Sequence, residues 1–259
     1  MKNTVLQTQQ ISIGYQNKTK QKIVAQNISI QLHAGNFITL IGTNGVGKST
    51  LLRSITGIIK PLKGEVMLND SNIQNYTNAQ LAQQLSVVLT DKLPPSNLTV
   101  FELVALGRQP YTNWLGNLSD LDKEKINQAL QLTEIEHLKH RKHFEISDGQ
   151  LQKVLIARAL AQDTPLIILD EPTTHLDLVH KVSVYKLLKK LALQTNKCIL
   201  MSTHDMDLSL QLSDEIIVFT KENIHQNAPK KLIEQGVFET LFKHQDIYFD
   251  PEKGKFIVT

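Results

Sequence analysis

A glycine-rich stretch limits the possible folds of this chain more than any other feature of its sequence. Residues 42–50 read GTNGVGKST and match the pattern G-x-x-x-x-G-K-[ST] in full. The apolar run 37–41 precedes the stretch, and a helical pattern follows it over residues 49–55. Strand, loop and helix in this order are typical of a phosphate-binding loop, whose backbone amides point at phosphate oxygens. The sequence therefore predicts an α/β fold with a site for a nucleotide.

The side chains of this loop have distinct predicted roles. Lys48 is expected to reach the β- and γ-phosphates, and the Ser49 hydroxyl is expected to ligate Mg²⁺. A glycine-rich turn that binds nothing is the alternative, and the flanking strand and helix argue against it. The predicted ATP-binding residues of the loop are Gly42, Thr43, Asn44, Gly45, Val46, Gly47, Lys48, Ser49 and Thr50.

Hydrophobic patterning elsewhere indicates three kinds of structure. Two further apolar runs, 166–169 and 198–201, suit strands of a parallel sheet that is buried on both faces. Residues 10–13 and 26–32 alternate apolar and polar side chains, which predicts half-buried strands of an antiparallel sheet. The periodicity over residues 98–161 is mostly helical. The predicted architecture is a P-loop NTPase core with a parallel sheet, an antiparallel β subdomain and an inserted α-helical subdomain.

Two acidic residues follow the second apolar run. An enzyme with a phosphate loop needs an acid near Mg²⁺ and a second group that positions or activates the attacking water. Adjacent residues of a strand point to opposite sides, so Asp170 and Glu171 are predicted to take different roles. Asp170 is assigned to the metal and the nucleotide, and Glu171 to the water. A solvated strand end is the alternative for this pair.

Composition excludes several classes of protein. The 259 residues carry 28 basic and 25 acidic side chains, a net charge of +3 that gives no ground for a nucleic-acid partner. Cys198 is the one cysteine, so no internal disulfide forms and a reducing compartment is expected. No apolar run approaches the roughly 18–20 residues that span a bilayer, and the N-terminal residues lack an apolar signal core. We expect a soluble cytoplasmic chain that serves a membrane only through a spanning partner.

The segment before the acid pair resembles a known family signature. Residues 144–150 read FEISDGQ and are similar to the L-S-G-G-Q signature of ATP-binding cassette (ABC) proteins. Ile146 replaces Leu and Asp148 replaces the first Gly, while residues 152–160 continue as the family does. The matching positions are Ser147, Gly149 and Gln150. Ser147 is also a suitable N-cap, and the N-terminus of the helix behind it would be a second anion site.

The resemblance covers nearly the whole chain and implies further site residues. In the family, the signature meets the γ-phosphate held by the opposite subunit, which implies this role for Ser147, Asp148, Gly149 and Gln150. Residues 173–177 are similar to the D-loop, with Asp177 at its end. His204 lies in a segment like the family's switch histidine and is placed near the γ-phosphate as a third catalytic residue beside Lys48 and Glu171. Tyr15 matches an aromatic that stacks on adenine, although packing alone is its alternative role.

The resemblance also implies an activity and partners. The chain is expected to hydrolyse ATP with Mg²⁺ as one of two head-to-tail copies at the cytoplasmic face of the membrane. Hydrolysis would energise transmembrane permease subunits, to which an extracytoplasmic binding protein delivers the solute. Residues 98–108 are similar to ATPases of iron–siderophore, haem and cobalamin importers. The alternatives are a soluble ABC ATPase that acts on ribosomes or DNA, and a degenerate cassette that binds nucleotide without hydrolysis. One domain over residues 1–259 is predicted, with a core of 1–90 and 162–259 and a helical subdomain of 91–161.

One position departs from the family pattern. The family has a glutamine at the end of the strand that leads into the helical subdomain, and this chain has Thr90, followed by Asp91. A threonine hydroxyl can hold a water or a hard cation, so we hypothesise that Thr90 acts through a bridging water. Asp91 is the next candidate, and a strand end without a ligand role is the alternative.

Overall fold

The computed structural model describes residues 3–16, 20–89, 96–241, 247–251 and 253–258. The strands are β1 (Thr4–Gln16), β2 (Gln21–Ile28), β3 (Gln31–His33), β4 (Phe37–Gly42), β5 (Lys63–Leu68), β6 (Ser71–Asn72), β7 (Leu85–Val88), β8 (Leu166–Asp170), β9 (Cys198–Ser202), β10 (Glu215–Phe219), β11 (Ile224–Asn227), β12 (Ile247–Asp250) and β13 (Lys255–Val258). The α-helices are α1 (Lys48–Ile55), α2 (Asn78–Ala82), α3 (Val100–Ala105), α4 (Asp120–Leu132), α5 (Asp148–Ala161), α6 (Leu178–Thr195), α7 (Met206–Leu212) and α8 (Pro229–Glu234).

The central sheet has the strand order β11-β10-β4-β9-β8-β7. Strands β10, β4, β9, β8 and β7 run parallel, and β11 pairs antiparallel at one edge. Every residue of β4 and β9 is buried, as expected for apolar strands covered on both faces. The predicted parallel core is therefore confirmed, and the carboxyl ends of its strands meet at one edge of the sheet.

A second, antiparallel sheet has the order β2-β1-β5-β6, with β3 also paired to β1. It confirms the sheet that the alternating N-terminal residues predict. One hydrophobic cluster joins its inner face to the central sheet and to helix α1. Members of that cluster include Leu6, Ile13, Ile38, Leu40 and Leu51. The helix that follows the phosphate loop is thus held between the two sheets.

The helices of the inserted region begin at capping boxes. In α3, α4 and α5 the hydroxyl of the N-cap residue accepts a hydrogen bond from the backbone N–H of the third helical residue. The side chain of that third residue accepts a hydrogen bond from the backbone N–H of the N-cap residue. The N-caps are Thr99, Ser119 and Ser147. Ser147 thus caps its helix as predicted. These local hydrogen bonds explain why each helix starts where it does.

The inserted helices share their hydrophobic cluster with the central sheet. Val100, Ile126 and Ile156 of the helices belong to one cluster with Ile167 of β8 and Met201 of β9. Burial of apolar area on the sheet therefore stabilises the helices as well. The described residues of the helical region do not form a core apart from the sheet.

A buried ion pair lies inside the helical region. Arg108 Nε donates to Asp122 Oδ1 at 2.8 Å and its Nη1 donates to the carbonyl oxygen of Ala161 at 2.8 Å. The guanidinium also lies over the Tyr111 ring, 3.9 Å from its centroid. Burial acts to raise the pKa of Asp122, but hydrogen bonds from Ser119 and Arg108 outweigh it and lower that pKa. The carboxylate therefore remains charged inside the protein.

The C-terminal region follows its predicted form only in part. From about residue 223 the sequence pattern predicts short strands and one helix over about 229–242. Strands β11, β12 and β13 are present, but α8 ends at Glu234 and a 3₁₀ helix covers Val237–Thr240. Gly236 separates them with a φ of 65°, a left-handed conformation that glycine adopts at little cost. Phe238, Phe249 and Phe256 pack edge to face or tilted beyond this break.

In the part of the chain that the structure describes, no helix is both long and apolar enough to cross a membrane.

Candidate functional site

The site lies where the central strands of the parallel sheet end. Strand β4 leads into the phosphate loop, β8 ends at Asp170, and β9 ends at Ser202. In the register of β8 and β9, Asp170 pairs with Ser202. Ligands of open α/β sheets bind at this carboxyl edge. The fold thus brings the predicted phosphate loop, acid pair and histidine segment to one place.

The shape of the phosphate loop depends on two of its glycines. Gly47 has a φ of 119° and forms the N-cap of α1, so a side chain there would be strained. A Cβ atom at Gly42 would lie 2.3 Å from the carbonyl oxygen of Phe219 on β10. Because the loop turns directly into helix α1, it directs the free amides of that helix's first turn towards any anion bound there.

Lys48 is held inside the loop. Its Nζ donates to the carbonyl oxygen of Gly42 at 3.0 Å and lies 3.5 Å from that of Thr43. Burial lowers the pKa of Lys48, while the nearby carboxylates of Glu171 and Asp170 act in the opposite direction. The ammonium therefore lies close to both acids at the centre of the site.

Tyr15 lies next to the helix that follows the loop. Its hydroxyl is 3.1 Å from the Thr50 hydroxyl, which ties the end of β1 to α1. The Tyr15 side chain is 44% exposed. Exposed loop residues are Asn44, Gly45 and Ser49. An aromatic face beside the loop can stack on a base, and this role of Tyr15 stays a prediction.

The backbone at the acid pair differs from the expected extended strand. β8 ends at Asp170, and Glu171 takes a left-handed φ of 47°. The argument from strand alternation is therefore wrong, because a turn rather than the strand pleat separates the two carboxylates. Ser202 holds both residues in place. Its hydroxyl donates to Asp170 Oδ1 at 2.5 Å, and the Glu171 N–H donates to Ser202 Oγ at 3.0 Å.

Glu171 and His204 form a close pair. His204 Nε2 lies 2.6 Å from Glu171 Oε1, so an imidazole with its hydrogen on Nε2 donates to the carboxylate. The His204 side chain is 42% exposed and that of Glu171 is 25% exposed. A partly exposed carboxylate that an imidazole orients can hold a water molecule and accept its proton.

Residues that the sequence did not single out fix the histidine segment. Asp205, next to His204, accepts from Lys181 Nζ at 3.0 Å and from the Thr173 hydroxyl at 3.3 Å. These contacts link the segment to α6 and to the turn after Glu171. Ion pairs between residues so distant in sequence leave no local signal. Ser202 could have been found, because it ends the strand that neighbours Asp170 in a parallel sheet.

Tyr185 supports the same segment from helix α6. Its hydroxyl donates to the Thr203 hydroxyl at 3.0 Å, and its side chain is fully buried. Burial raises the pKa of Tyr185 to about 12, so it remains a neutral donor. The backbone on either side of His204 is thus held by α6.

The predicted signature residues lie at the start of α5. The Gln150 N–H donates to Ser147 Oγ at 3.3 Å, and the Ser147 N–H donates to Gln150 Oε1 at 3.0 Å. Gly149 is buried, whereas Asp148 is exposed. Asp148 and Glu171 line the same cavity of 330 Å³, so the start of α5 and the turn after β8 border one space within the chain.

Asp177 caps helix α6. Its Oδ1 accepts from the backbone N–H of His180 at 2.8 Å and lies 2.8 Å from His180 Nδ1. The backbone hydrogen bond from His180 is the main reason why the pKa of Asp177 lies below its ordinary value.

Thr90 and Asp91 lie outside the described residues, so the proposed water contact of Thr90 stays a hypothesis.

Sequence comparison identifies similar proteins of one kind. Residues 25–174 match the family model described as ABC transporter. The achromobactin transport ATP-binding protein CbrD of Dickeya dadantii is 40% identical over 92% of this chain and 88% of its own length. The ferric enterobactin transport ATP-binding protein FepC of Escherichia coli is 33% identical over 92% of this chain and 86% of its own length.

Solved structures agree with the sequence matches. A chain of a metal-chelate type ABC transporter in an inward-facing conformation superposes with a TM-score of 0.79 at 26% identity, covering 98% of this chain and 96% of that chain. The dimeric post-hydrolysis state of the ATP-binding cassette MJ0796, bound to ADP and phosphate, has a TM-score of 0.71 at 27% identity, covering 86% of this chain and 98% of that chain.

Proposed function

Because this chain belongs to the ABC transporter family and is an ATP-hydrolysing subunit that energises a membrane importer, we propose that its importer carries an iron chelate. Similar proteins bear names that specify achromobactin, petrobactin, ferric enterobactin and iron(3+)-hydroxamate. Those names favour a siderophore over haem or cobalamin. They also specify transport, which disfavours the alternative of an ATPase that acts on ribosomes or DNA.

One observation carries the proposed chemistry, namely the convergence of Lys48 with the acid pair and His204 at the sheet edge. We assign Lys48 to the β- and γ-phosphates, because its ammonium lies inside the loop. Glu171 orients the attacking water and accepts its proton, while His204 orients Glu171. The remaining residues of the loop bind phosphate through their backbone amides.

The site also suits Mg²⁺. The Ser49 hydroxyl and the Asp170 carboxylate offer hard oxygen ligands, and Mg²⁺ prefers one or two protein oxygens together with nucleotide phosphates. Among the described residues, no group of three or more His, Cys, Asp or Glu side chains is arranged to hold a metal ion. We therefore propose that Ser49 and Asp170 hold Mg²⁺ only together with ATP, where it would neutralise phosphate charge.

A second copy of the chain completes the proposed site. One similar cassette, MJ0796, is dimeric in two solved structures. We propose a head-to-tail pair in which Ser147, Asp148, Gly149 and Gln150 of one copy meet the ATP held by the other. The first turn of α5 offers free backbone amides for that contact. Transmembrane permease subunits and, through them, an extracytoplasmic binding protein are the further proposed partners.

The first test is Mg²⁺-dependent hydrolysis of ATP. Replacing Lys48 with alanine should lower the rate by roughly a hundredfold, because the charge that stabilises the phosphates is lost. Phosphate release by the purified chain with and without Mg²⁺ measures this. Lys60→Ala, at an exposed lysine outside the loop, is the matched control and should keep the wild-type rate. Equal rates in Lys48→Ala and the wild type would reject the assigned role.

A second test concerns the permease. The region 98–114 is proposed to contact it, and this region exposes Leu106, Tyr111 and Trp114, the last at 92%. Alternatively, apolar residues such as Phe101 and Leu103 serve only packing within the region itself. Cys198 is fully buried, so a cysteine introduced by Trp114→Cys can be labelled selectively with a crosslinker.

We expect Trp114→Cys to crosslink to a membrane subunit in native membranes. Leu193→Cys, at a site on α6 that is also highly exposed at 79%, is the control and should give no such product. Mass spectrometry of the crosslinked bands identifies the partner. Crosslinks from position 114 only within this chain would contradict the docking region, and crosslinks to ribosomal proteins would favour the alternative function.

A further inference from the structure

The signature segment and the D-loop helix contact each other through one histidine ring. His180, in the first turn of α6, packs directly on Gly149, in the first turn of α5. A Cβ atom at position 149 would lie 2.4 Å from His180 Cδ2 and 3.0 Å from Nε2. Such distances are shorter than van der Waals contact, so the ring occupies the space of a side chain at position 149.

The backbone of Gly149 does not itself demand glycine. The residue lies within a regular helix, and its φ is outside the left-handed region. Alanine would adopt this conformation without strain and would favour the helix. The His180 ring is therefore the group that a side chain at position 149 would have to displace.

Asp177 fixes the orientation of that ring. Its Oδ1 lies 2.8 Å from His180 Nδ1 and also accepts the His180 backbone N–H. One carboxylate thus anchors both the start of the helix and the imidazole. The ring is packed on Gly149 on one side, although the His180 side chain as a whole is 51% exposed.

The next residue of α6 contacts the catalytic side of the site. Lys181 pairs with Asp205, which directly follows His204. Consecutive residues in one helical turn therefore contact the signature segment and the histidine segment. Both contacts lie in the first turn of α6, so a displacement of that turn would move the two segments together.

We propose that His180 is a positioning residue for ATP hydrolysis. Its ring sets the distance between the signature segment and the D-loop, and so presents the signature to the nucleotide of the second copy. This inference rests on the proposed head-to-tail dimer. Loss of the ring should weaken ATP-dependent dimerisation while leaving ATP binding to the phosphate loop unchanged, because the ring contacts the signature segment at Gly149.

The experiment measures both quantities with the full chain, using Glu171→Gln to prevent turnover. In His180→Ala, the chain concentration for half-maximal dimerisation in ATP should rise about tenfold, and the Kd for ATP should stay within twofold. His180→Phe retains a ring but lacks the Nδ1 contact with Asp177, so it should recover part of the dimerisation. His140→Ala, the same change at an exposed histidine, is the control. Equal losses in His180→Ala and His180→Phe would overturn the packing role.

A double-mutant cycle with Gly149→Ala tests the contact itself. Alanine at 149 should weaken dimerisation strongly beside His180 and much less in the His180→Ala background, where the space is open. Additive effects would overturn the inference, since they would mean that Gly149 serves the phosphate alone. The parent that carries only Glu171→Gln tests the proposed function separately. If it fails to dimerise in ATP, the head-to-tail dimer is wrong whatever the cycle shows.

Discussion

Replacing Glu171 with glutamine is expected to reduce steady-state ATP hydrolysis by at least about a hundredfold and to leave ATP binding intact. Glutamine has the shape of glutamate but cannot accept a proton from water. The 2.6 Å contact with His204 Nε2 is kept with the amide oxygen in place of Oε1, so the segment should not rearrange. Lys48 and the phosphate loop are untouched.

The variant should accumulate as an ATP-bound dimer, because binding proceeds while turnover stops. Size-exclusion chromatography with light scattering, with and without ATP, measures the dimer, and phosphate release measures the rate. Glu222→Gln, at an exposed glutamate beyond β10, is the matched control and should turn over normally. Full turnover by Glu171→Gln would reject Glu171 as the residue that activates water.

Removing Asp122 is expected to lower the free energy of unfolding by about 3–5 kcal/mol, because it leaves the buried Arg108 charge without its partner. The two side chains are 4% and 5% exposed, so the guanidinium left behind would remain largely shielded from solvent. Asp122 also closes the capping box with Ser119, which adds to the loss. Urea unfolding of Asp122→Ala against the wild type measures the difference.

The neighbouring residue supplies the control. Asp120 begins the same helix but is fully exposed, and its pair with Lys123 contributes little. Asp120→Ala should therefore change the free energy of unfolding far less than Asp122→Ala does. Equal effects of the two substitutions would show that burial of the Arg108 pair is not the cause.

The same pair gives a pH dependence with a definite sign. The pKa of Asp122 is lower in the folded chain than its ordinary value of 3.8. Folding therefore favours the charged carboxylate, and the stability from the pair is present above pH 3.8 and lost as pH falls through the lowered pKa. The difference between the wild type and Asp122→Ala should shrink over that acidic range.

Local patterns predicted the phosphate loop and the strands of the parallel sheet. The loop is recognised from consecutive residues of one motif. The apolar runs that end at Gly42, Asp170 and Ser202 predict strands, and the carboxyl ends of these strands must lie together if the sheet is parallel. That is why Lys48 and the acid pair could be assigned to one site from local patterns. The family resemblance then added His204 and the signature.

Features that depend on contacts between distant residues could not be read in this way. The left-handed φ of Glu171 and its bonds to Ser202 arise where two strands end side by side. The contact of His180 with Gly149 joins residues of two helices that lie 31 positions apart in the sequence. No periodicity or spacing reports such a contact, because each residue is compatible with many other neighbours.

The hydrophobic cluster common to the inserted helices and the central sheet limits how relatives can exchange parts. Val100 and Ile126 pack in the same cluster as Ile167 and Met201. Grafting residues 96–161 into another cassette would therefore transfer the helices without the sheet residues on which they pack. The recipient would gain mismatched packing and cavities, which are costly in a close-packed interior. Chimeras meant to redirect one ATPase to another permease would therefore have to transplant the matching sheet residues together with the helices.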